Sequence, residues 1–546
     1  MSEKESGLPV RVVEDDTILI IGGGPVGLMT ASVLAHFKVK SMILERNTEP
    51  TKWPKMDLTN ARSMELLHKI GLADDLRSRG VPSSIPYTVL MSTGLGQKTA
   101  VTRWDLPSVD EYREKIKSTN DGTQPLQPYL RVSQNIFENW MRDLCQDNPL
   151  TDLQYHCKLE SIKETVDAVE AIVTKGEGGA SEIYRASPFS FLLIHFRSRD
   201  LERLHKQGRF WHLFMLKSQA FGGAVISQDE KEIFTVHFPL PPGTDAATIE
   251  SQEAIYTVLG GMYEPFEIRI DEILVRSTFR PSIAVANSFA GPNLRLFLAG
   301  DSAHQNIPTG GYGMNTGLGD GFDIGWKLAA VVNGYGGKRL LESYEQERKP
   351  TAAQNMQRSG VHMGVHMTAV DILTKNPDKV DSDSQQGIEI RGEIHGHYSK
   401  HDGENTDLGI EMGYRYKSPI CMVDDSETEP PWDPHTYLPT TWPGSRAPHV
   451  LLSDQSSILD HLGRDFSLVD FTNDGRPDTG GSLIVQVAQE VGVPLTHIRL
   501  INEKNAENIW ERPLVVVRPD GHVAWRGDSI KDKDQARQIL ETIIGR

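Results

Sequence analysis

Apolar residues near the start of the chain fall into two short runs, TILII at 17–21 and SMIL at 41–44, the second ending at Glu45 and Arg46. GGGPVG interrupts between them, and an Ala-rich pattern at helical spacing continues to Phe37. Continuous apolar runs bounded by glycine read as strands buried on both faces, and the 3.6-residue period reads as a helix, so the order is strand, turn, helix, strand. A second glycine-dense segment begins at Leu294, LFLAGDSAHQNIPTGGYGMNTGLGDGFDIGWKLAAVV. It predicts a strand over 294–299, a loop, and a long helix from about Met314. Between these segments, alternating runs such as Phe189–Phe196 and Ile233–Phe238 predict strands of a separate sheet.

Residues 376–407 are rich in Ser, Asp, Gly and His and poor in apolar positions, which predicts a linker. Apolar runs resume beyond it with HVLL at His449, FSLVDF at Phe466, a helical pattern near Ser482–Val491, HIRLI at His497, LVVVRPDGHVAW from Leu514 and an amphipathic end to Ile544. Pro519-Asp520-Gly521 between two apolar strands is a hairpin turn. That order of elements resembles a thioredoxin fold. The region from His449 onward holds no cysteine, so thiol chemistry is excluded there and a structural or dimerisation role is expected.

Composition narrows the classes. At 546 residues and 38% hydrophobic content the chain can bury a large core in several domains. A formal charge of −17 argues against nucleic acid, because phosphate backbones are held by Lys and Arg. The opening MSEKESGLPVRVVEDD has no basic-then-apolar signal pattern, and the apolar stretch 18–35 is broken by Gly and Pro, so a cytoplasmic location and no transmembrane segment are expected. Cys145, Cys157 and Cys421 form no CxxC pair; neither a disulfide framework nor a metal site is expected, and redox chemistry must come from a bound cofactor.

Gly22, Gly24 and Gly27 make GxGxxG between a strand and a helix that begins near Pro25, where backbone can approach a pyrophosphate and the helix dipole faces its charge. Glu45 follows about 20 residues on, at a strand end where it can accept ribose hydroxyls. A dinucleotide site alone does not separate NAD from FAD. The second motif does: Asp301 after Gly300 can hydrogen-bond a ribityl hydroxyl, which FAD has and NAD lacks, although such an Asp by itself reads as a helix N-cap. Residues Pro308, Gly311, Gly313, Met314 and Asn315 then place glycines where a flat ring can rest and open a helix whose N-terminus favours an anionic reduced flavin.

With these motifs in view, GGGPVG with Glu45, and GDSAHQNIPTGGYGMNTGLGDGFDIGWKLA, resemble the two ends of an FAD-dependent aromatic hydroxylase of the phenol hydroxylase and p-hydroxybenzoate hydroxylase group. The resemblance extends to NARSMELLHKIG, where Arg62 matches a family arginine near the cofactor, and to LRVSQNIFENWMRD, where Arg131 and Gln134 match residues near the ribityl chain. PGSRAPHV at Pro443 and VVVRPDGHVAWR at Val515 match the family's thioredoxin-like tail. It implies an α/β fold, α+β overall: a Rossmann-type FAD-binding domain with an inserted mixed β-sheet substrate domain and a C-terminal thioredoxin-like domain. The expected division is 1–185 for the first part of the FAD domain with part of the substrate domain, 186–285 for the substrate sheet, 286–375 for the second FAD part, 376–410 for a linker and 411–546 for the tail. One departure stands out. The family's middle signature, a strand with a Cys-Asp-Gly type turn, is missing where EIYRAS at Glu182 runs straight into PFSFLLIHFRSRD.

The resemblance implies monooxygenation of a phenolic or polyketide-type substrate with O2 and transient NAD(P)H, in secondary metabolism or aromatic catabolism, and a homodimer, which such tails often accompany. The protein's part is to orient the ring and exclude water. For substrate contacts the middle sheet offers Phe189, Phe191, His195, Phe196, Phe210, Trp211, His212 and Phe214, with Phe279 and Arg280; at strand spacing an aromatic stripe reads first as core. His304 reads as structural, and no catalytic base is named. Two alternatives fit the same residues: a flavin oxidoreductase performing oxidation or epoxidation without aromatic hydroxylation, and a catalytically impaired flavin-fold protein lacking the middle signature.

Overall fold

The computed structural model describes residues 13–14, 16–175, 190–472 and 479–546. Thr17–Ile21, Lys40–Leu44 and Thr151–Gln154 form a parallel sheet with Lys40–Leu44 in the centre. The helix Pro25–His36 crosses between its first two strands. It begins at a proline, which lacks an N–H that the first helical turn could not have paired, and it buries Leu28, Met29, Val33 and Leu34.

The helix Tyr312–Val332 packs along it through glycines four residues apart, which a helix places on one face. A Cβ at Gly317 would stand 2.6 Å from Val26 Cγ2, one at Gly321 2.9 Å from both Thr30 Oγ1 and Val26 O, and one at Gly325 2.9 Å from Val33 Cγ1. Nothing larger than hydrogen fits this seam. The helix starts two residues before the expected Met314.

Residues 294–299, expected as a strand, are not one. Leu294 turns at φ +57, and Ala290 and Phe297 make a single bridge, closed by bonds from Gly291 N to Leu296 O and from Leu298 N to Phe289 O. The segment folds back on 289–291 instead of joining the parallel sheet, so an apolar run that would have suited a buried strand approaches Gly300 as an irregular hairpin.

A second, seven-stranded mixed sheet has the order Glu272–Phe279, Ser190–Arg197, Ile233–Leu240, Ala220–Ser227, His212–Lys217, Tyr87–Ser92, Thr102–Leu106. Strand parity divides its residues. Leu90, Leu213, Met215, Val225, Val236, Leu192, Ile194 and Phe196 point to one side and bury against Ala254, Ile255, Val258 and Leu259 of the helix Ser251–Gly260. The opposite side carries Val89, Met91 and Trp104, packed on Val365, Ala369 and Leu373 of the 37-residue helix Lys338–Thr374. Phe189 and the EIYRAS segment lie outside the described residues.

The expected linker is structured: Gln385–Lys400 is a helix with Ile390, Ile394 and Tyr398 buried at four-residue spacing on the long helix and the sheet edge. Three of its four apolar residues, all but the exposed Ile388, suffice for one buried stripe, and its Ser384 side chain caps the start. The C-terminal part runs strand, helix, strand, helix, strand, strand, helix, with Phe466–Thr472 parallel to Leu495–Ile501 and antiparallel to Leu514–Val517, which pairs with Val523–Gly527. Arg518 from its hairpin enters the other domain, fully buried against Glu347 (2.7 and 2.9 Å), Asp323 (3.2 Å) and Asp520 (2.7 Å), and Arg446 pairs with Glu65. Among the described residues no helix is long and apolar enough to cross a membrane.

The seam is tested by substitution. Gly321→Val should lower stability by about 1–3 kcal/mol through overpacking, read as a Tm fall of roughly 1–3 °C, whereas Gly364→Ala, with open space beside it, should leave Tm unchanged or raise it.

Candidate functional site

Because the seam holds the two helices together in parallel, their N-termini point the same way. Gly22, at φ +107, has open space where a side chain would be, as does Gly24, while a Cβ at Gly27 would strike Gly22 O at 2.0 Å. The first two glycines therefore leave room beside the backbone, and the third lets the helix close on the strand. Glu45 stands at the end of its strand and accepts N–H bonds from Gly23 at 2.7 Å and Asn47 at 2.8 Å. That places a carboxylate at the glycine turn. Arg46 beside it is exposed.

Gly300 sits against the same helix, where a Cβ would lie 2.8 Å from Val26 Cγ2, and its N–H is held by Asp320 Oδ2 at 3.0 Å. Asp320 also takes His304 Nε2 at 2.6 Å and Arg348 Nε at 2.7 Å. Burial raises its pKa, but the charges of Arg348 and His304 outweigh this and leave it below the usual range. His304 is thus structural, as expected. Asp301 is exposed in the short turn Gly300–Ser302, and it is not the N-cap of the long helix, which begins at Tyr312.

The loop from Pro308 carries Gly310 and Gly311 at φ +85 and +63, conformations that favour glycine, and Gly313 has open space around it. Met314 packs into the core, while Asn315 donates to Leu58 O at 3.0 Å and accepts from Asn60 N at 3.0 Å. The loop is also tied from behind: Thr309 donates to Ser359 O at 2.7 Å, Glu404 Oε1 accepts from Gly310 N at 3.1 Å, and Tyr312 Oη meets His362 Nε2 at 2.9 Å.

Arg131 is 4% exposed, pairs with Glu230 at 2.6 Å, donates to Ser227 O and lies over Trp211; its Nε and Nη1 are buried with no hydrogen-bond partner among the described residues. Such stranded donors cost free energy unless a bound polar group takes them. Gln134 starts its helix, with its amide on Glu138 at 2.5 Å. Arg62 stands apart. Its guanidinium donates to Asp520 O at 2.6 Å and neighbours Glu65, His522 and Tyr414, so it ties the site to the C-terminal domain.

The seven-stranded sheet connects to the ring loop through His366, which pairs with the Glu404 that accepts from Gly310 N. His212, Phe214, Ala224 and His237 share one face by register, and Phe214 lies 4.6 Å from His366 of the long helix. Of the aromatics offered by sequence, Phe196 and Phe210 are core, and His212 and Phe214 lie on the sheet face opposite that core. Sequence reasoning missed Asp57, His237, His362, His366 and Glu404. A signal existed for one pair: HMGVH sets His362 and His366 one helical turn apart.

An FAD fits this arrangement. Two open glycine turns on dipole-bearing helix ends suit its phosphates and ring, and the stranded Arg131 donors and exposed Asp301 suit the polar chain between them.

Comparison with known proteins agrees. An FAD binding domain family model matches residues 15–187 and 182–359, and a model described as aromatic-ring hydroxylase, C-terminal, matches 440–546. The FAD-dependent monooxygenase apdD of Emericella nidulans is 44% identical over 576 residues, covering 100% of this chain and 92% of that protein. The FAD-dependent monooxygenase opdD of Penicillium oxalicum is 44% identical over 521 residues, covering 90% and 99%. Among solved structures, RebC with bound 7-carboxy-K252c superposes with a TM-score of 0.81 at 27% identity, covering 97% of this chain and 99% of that one. The FAD model meets this chain in two stretches that overlap at 182–187, where the middle signature was expected; residues 176–189 lie outside the described ones.

Glu404 supplies a pH test of the loop. Burial raises its pKa, but the charge and hydrogen bond of His366 at 2.7 Å outweigh that and bring it to about 2. A depressed carboxyl pKa contributes stability above its unfolded value near 4.5, lost as pH falls toward 2. Glu404→Gln should therefore cost about 3 kcal/mol at pH 7, and the gap from the parent protein should narrow in denaturant titrations run below pH 4.5.

Proposed function

The chain belongs to the FAD-dependent aromatic-ring hydroxylase family and is a flavin monooxygenase; from that premise we propose that it transfers one atom of O2 to a phenolic or polyketide-type aromatic molecule, with NAD(P)H as a transient reductant. The observation that carries this reading is the convergence of both glycine motifs on Val26 of one helix.

In this reading Gly22, Gly24, Pro25 and Gly27 take the pyrophosphate through backbone and helix dipole, and Glu45 and Arg46 take the adenosine ribose. Arg131, Gln134 and Asp301 take the ribityl chain. Pro308, Gly311, Gly313, Met314 and Asn315 support the ring, and Arg62 braces the adjacent helix against the tail. The flavin, when bound, supplies oxygen activation and oxygen transfer. The protein's own residues orient the ring of the substrate and keep water out: Phe214 and Phe221 give an apolar wall beside His366. The strand, helix, strand, helix, strand, strand, helix order of the tail supports a thioredoxin-like reading with a structural role, since it carries no cysteine from His449 onward. We extend the proposal to a homodimer in the cytoplasm.

Product analysis under labelled dioxygen tests the reaction. The FAD-loaded protein, given NADPH and a panel of phenols and polyketide-type aromatics, should yield a product carrying one labelled oxygen; NADPH-dependent turnover to products free of label would contradict oxygen insertion.

A further inference from the structure

A cavity of about 120 Å³ lies between the helix Ala61–Lys69 and the C-terminal domain, and the reading above leaves it without a task. Arg62 and Lys69 line it from one face of that helix, two turns apart with Leu66 between them. Asp520 and Gly521 of the tail's hairpin turn line it as well. Gly521 stands at φ +81 without a side chain, and a Cβ there would come 3.8 Å from Arg62 Nη1.

Every carboxylate on this cavity already has a partner. Glu65 accepts from Arg446 Nε at 2.7 Å, from Arg446 Nη2 and from Leu126 N at 2.7 Å. Asp460 holds His68 Nε2 at 2.7 Å, a hydrogen bond that raises the His68 pKa. Asp520 holds Arg518 Nη2 at 2.7 Å and His522 N at 3.1 Å. The two remaining cations have uncharged oxygens instead. Arg62, 7% exposed, donates from Nη2 to Asp520 O at 2.6 Å and from Nε to Tyr414 Oη at 3.4 Å. Its Nη1 makes no hydrogen bond among the described residues; the approach to Glu65 Oε2 is 3.5 Å, and Arg446 holds that oxygen. Lys69 Nζ donates to Gly463 O at 2.7 Å and Leu462 O at 3.3 Å, and among the described residues no carboxylate reaches it. Burial pulls the Lys69 pKa down to about 8 against the opposing pull of Asp520 and Asp465, as expected of an ammonium short of negative charge.

Charges held away from water are normally paired, so two surplus cations on one cavity call for an anion. The space is smaller than the roughly 150 Å³ cavity that accepts a benzene ring, which leaves room for a small ion and none for a dinucleotide. A guanidinium edge and an ammonium are the donors that hold oxyanions. We propose that this junction is a binding site for a small dianionic oxyanion of the phosphate type, with Arg62 Nη1 and Lys69 Nζ as its cationic donors. Bound there, the anion ties the helix Ala61–Lys69 to the tail. That helix is capped by Asn60, whose N–H is held by Asn315 of the ring loop at 3.0 Å, so the anion also braces the loop. The site is independent of the hydroxylation reading.

The test uses full-length protein saturated with FAD, so that the GxGxxG turn is occupied, and inorganic phosphate as the probe. Calorimetric titration near neutral pH and at constant ionic strength should show saturable uptake of one phosphate per chain, and Tm should rise with phosphate but not with chloride. Lys69→Met, with unchanged flavin content, should weaken phosphate binding about tenfold or more, the loss of one charge-assisted hydrogen bond. Acylation of Lys69 by an amine-reactive ester, followed by peptide mapping of the parent, should slow when phosphate is added, while the exposed Lys52 reacts at an unchanged rate. No saturable uptake by the parent, equal affinity in Lys69→Met, or acylation of Lys69 indifferent to phosphate would overturn the site. If Lys69→Met does not fold, the acylation of the parent decides alone.

Discussion

The site depends on how closely two helices approach. Pro25–His36 and Tyr312–Val332 are separated by almost three hundred residues of chain, yet the Gly317, Gly321 and Gly325 positions leave no room for a methyl group between them. Close-packed interiors transmit such a constraint without slack. The contact sets the distance between the GxGxxG turn and the Gly300–Asp301 turn, since Val26 touches the places where side chains on both Gly300 and Gly317 would stand. Two parallel helix N-termini then point their unpaired N–H groups the same way, and a long anionic dinucleotide is the ligand that such a staggered pair of ends suits.

Buried charges fix the rest of the molecule to that axis. Asp320 gathers Gly300, His304 and Arg348, and Asp323 and Glu347 share Lys327 with Arg518 from the tail. Arg446 and Glu65 make a second crossing. Replacing one member of such a set leaves its partner charged and unpaired, which is costlier than the pair is beneficial. Through these arginines the tail holds the helices that carry the motifs. Arg62 fits the same account, because it is engaged with Asp520 and Glu65.

Local chemistry was legible in the sequence wherever one segment carried the whole signal. GxGxxG between strand and helix, Glu45 at the strand end, and the glycine helix followed from spacing alone, and the structure has each in place. The segment 294–299 misled because its apolar pattern suits a strand, while strand formation also needs a neighbour with free hydrogen-bonding groups, and here the chain pairs with 289–291 instead. The helix Gln385–Lys400 hid in polar composition; Ile390, Ile394 and Tyr398 are few, but they are four residues apart, and spacing outweighs content. Asp57, His212, His366 and Glu404 come from four distant segments. No window of sequence contains their relation, so the link from the sheet to the ring loop became visible only through strand register and the long helix.

Bound flavin, quantified by visible absorption before and after denaturation of the purified protein, tests the account most directly. Near-stoichiometric FAD is the result it predicts, because both glycine motifs and the seam that joins them are intact. A protein that stays colourless after incubation with excess FAD would contradict it, and would mean that bringing the two helices together is not enough to make the site.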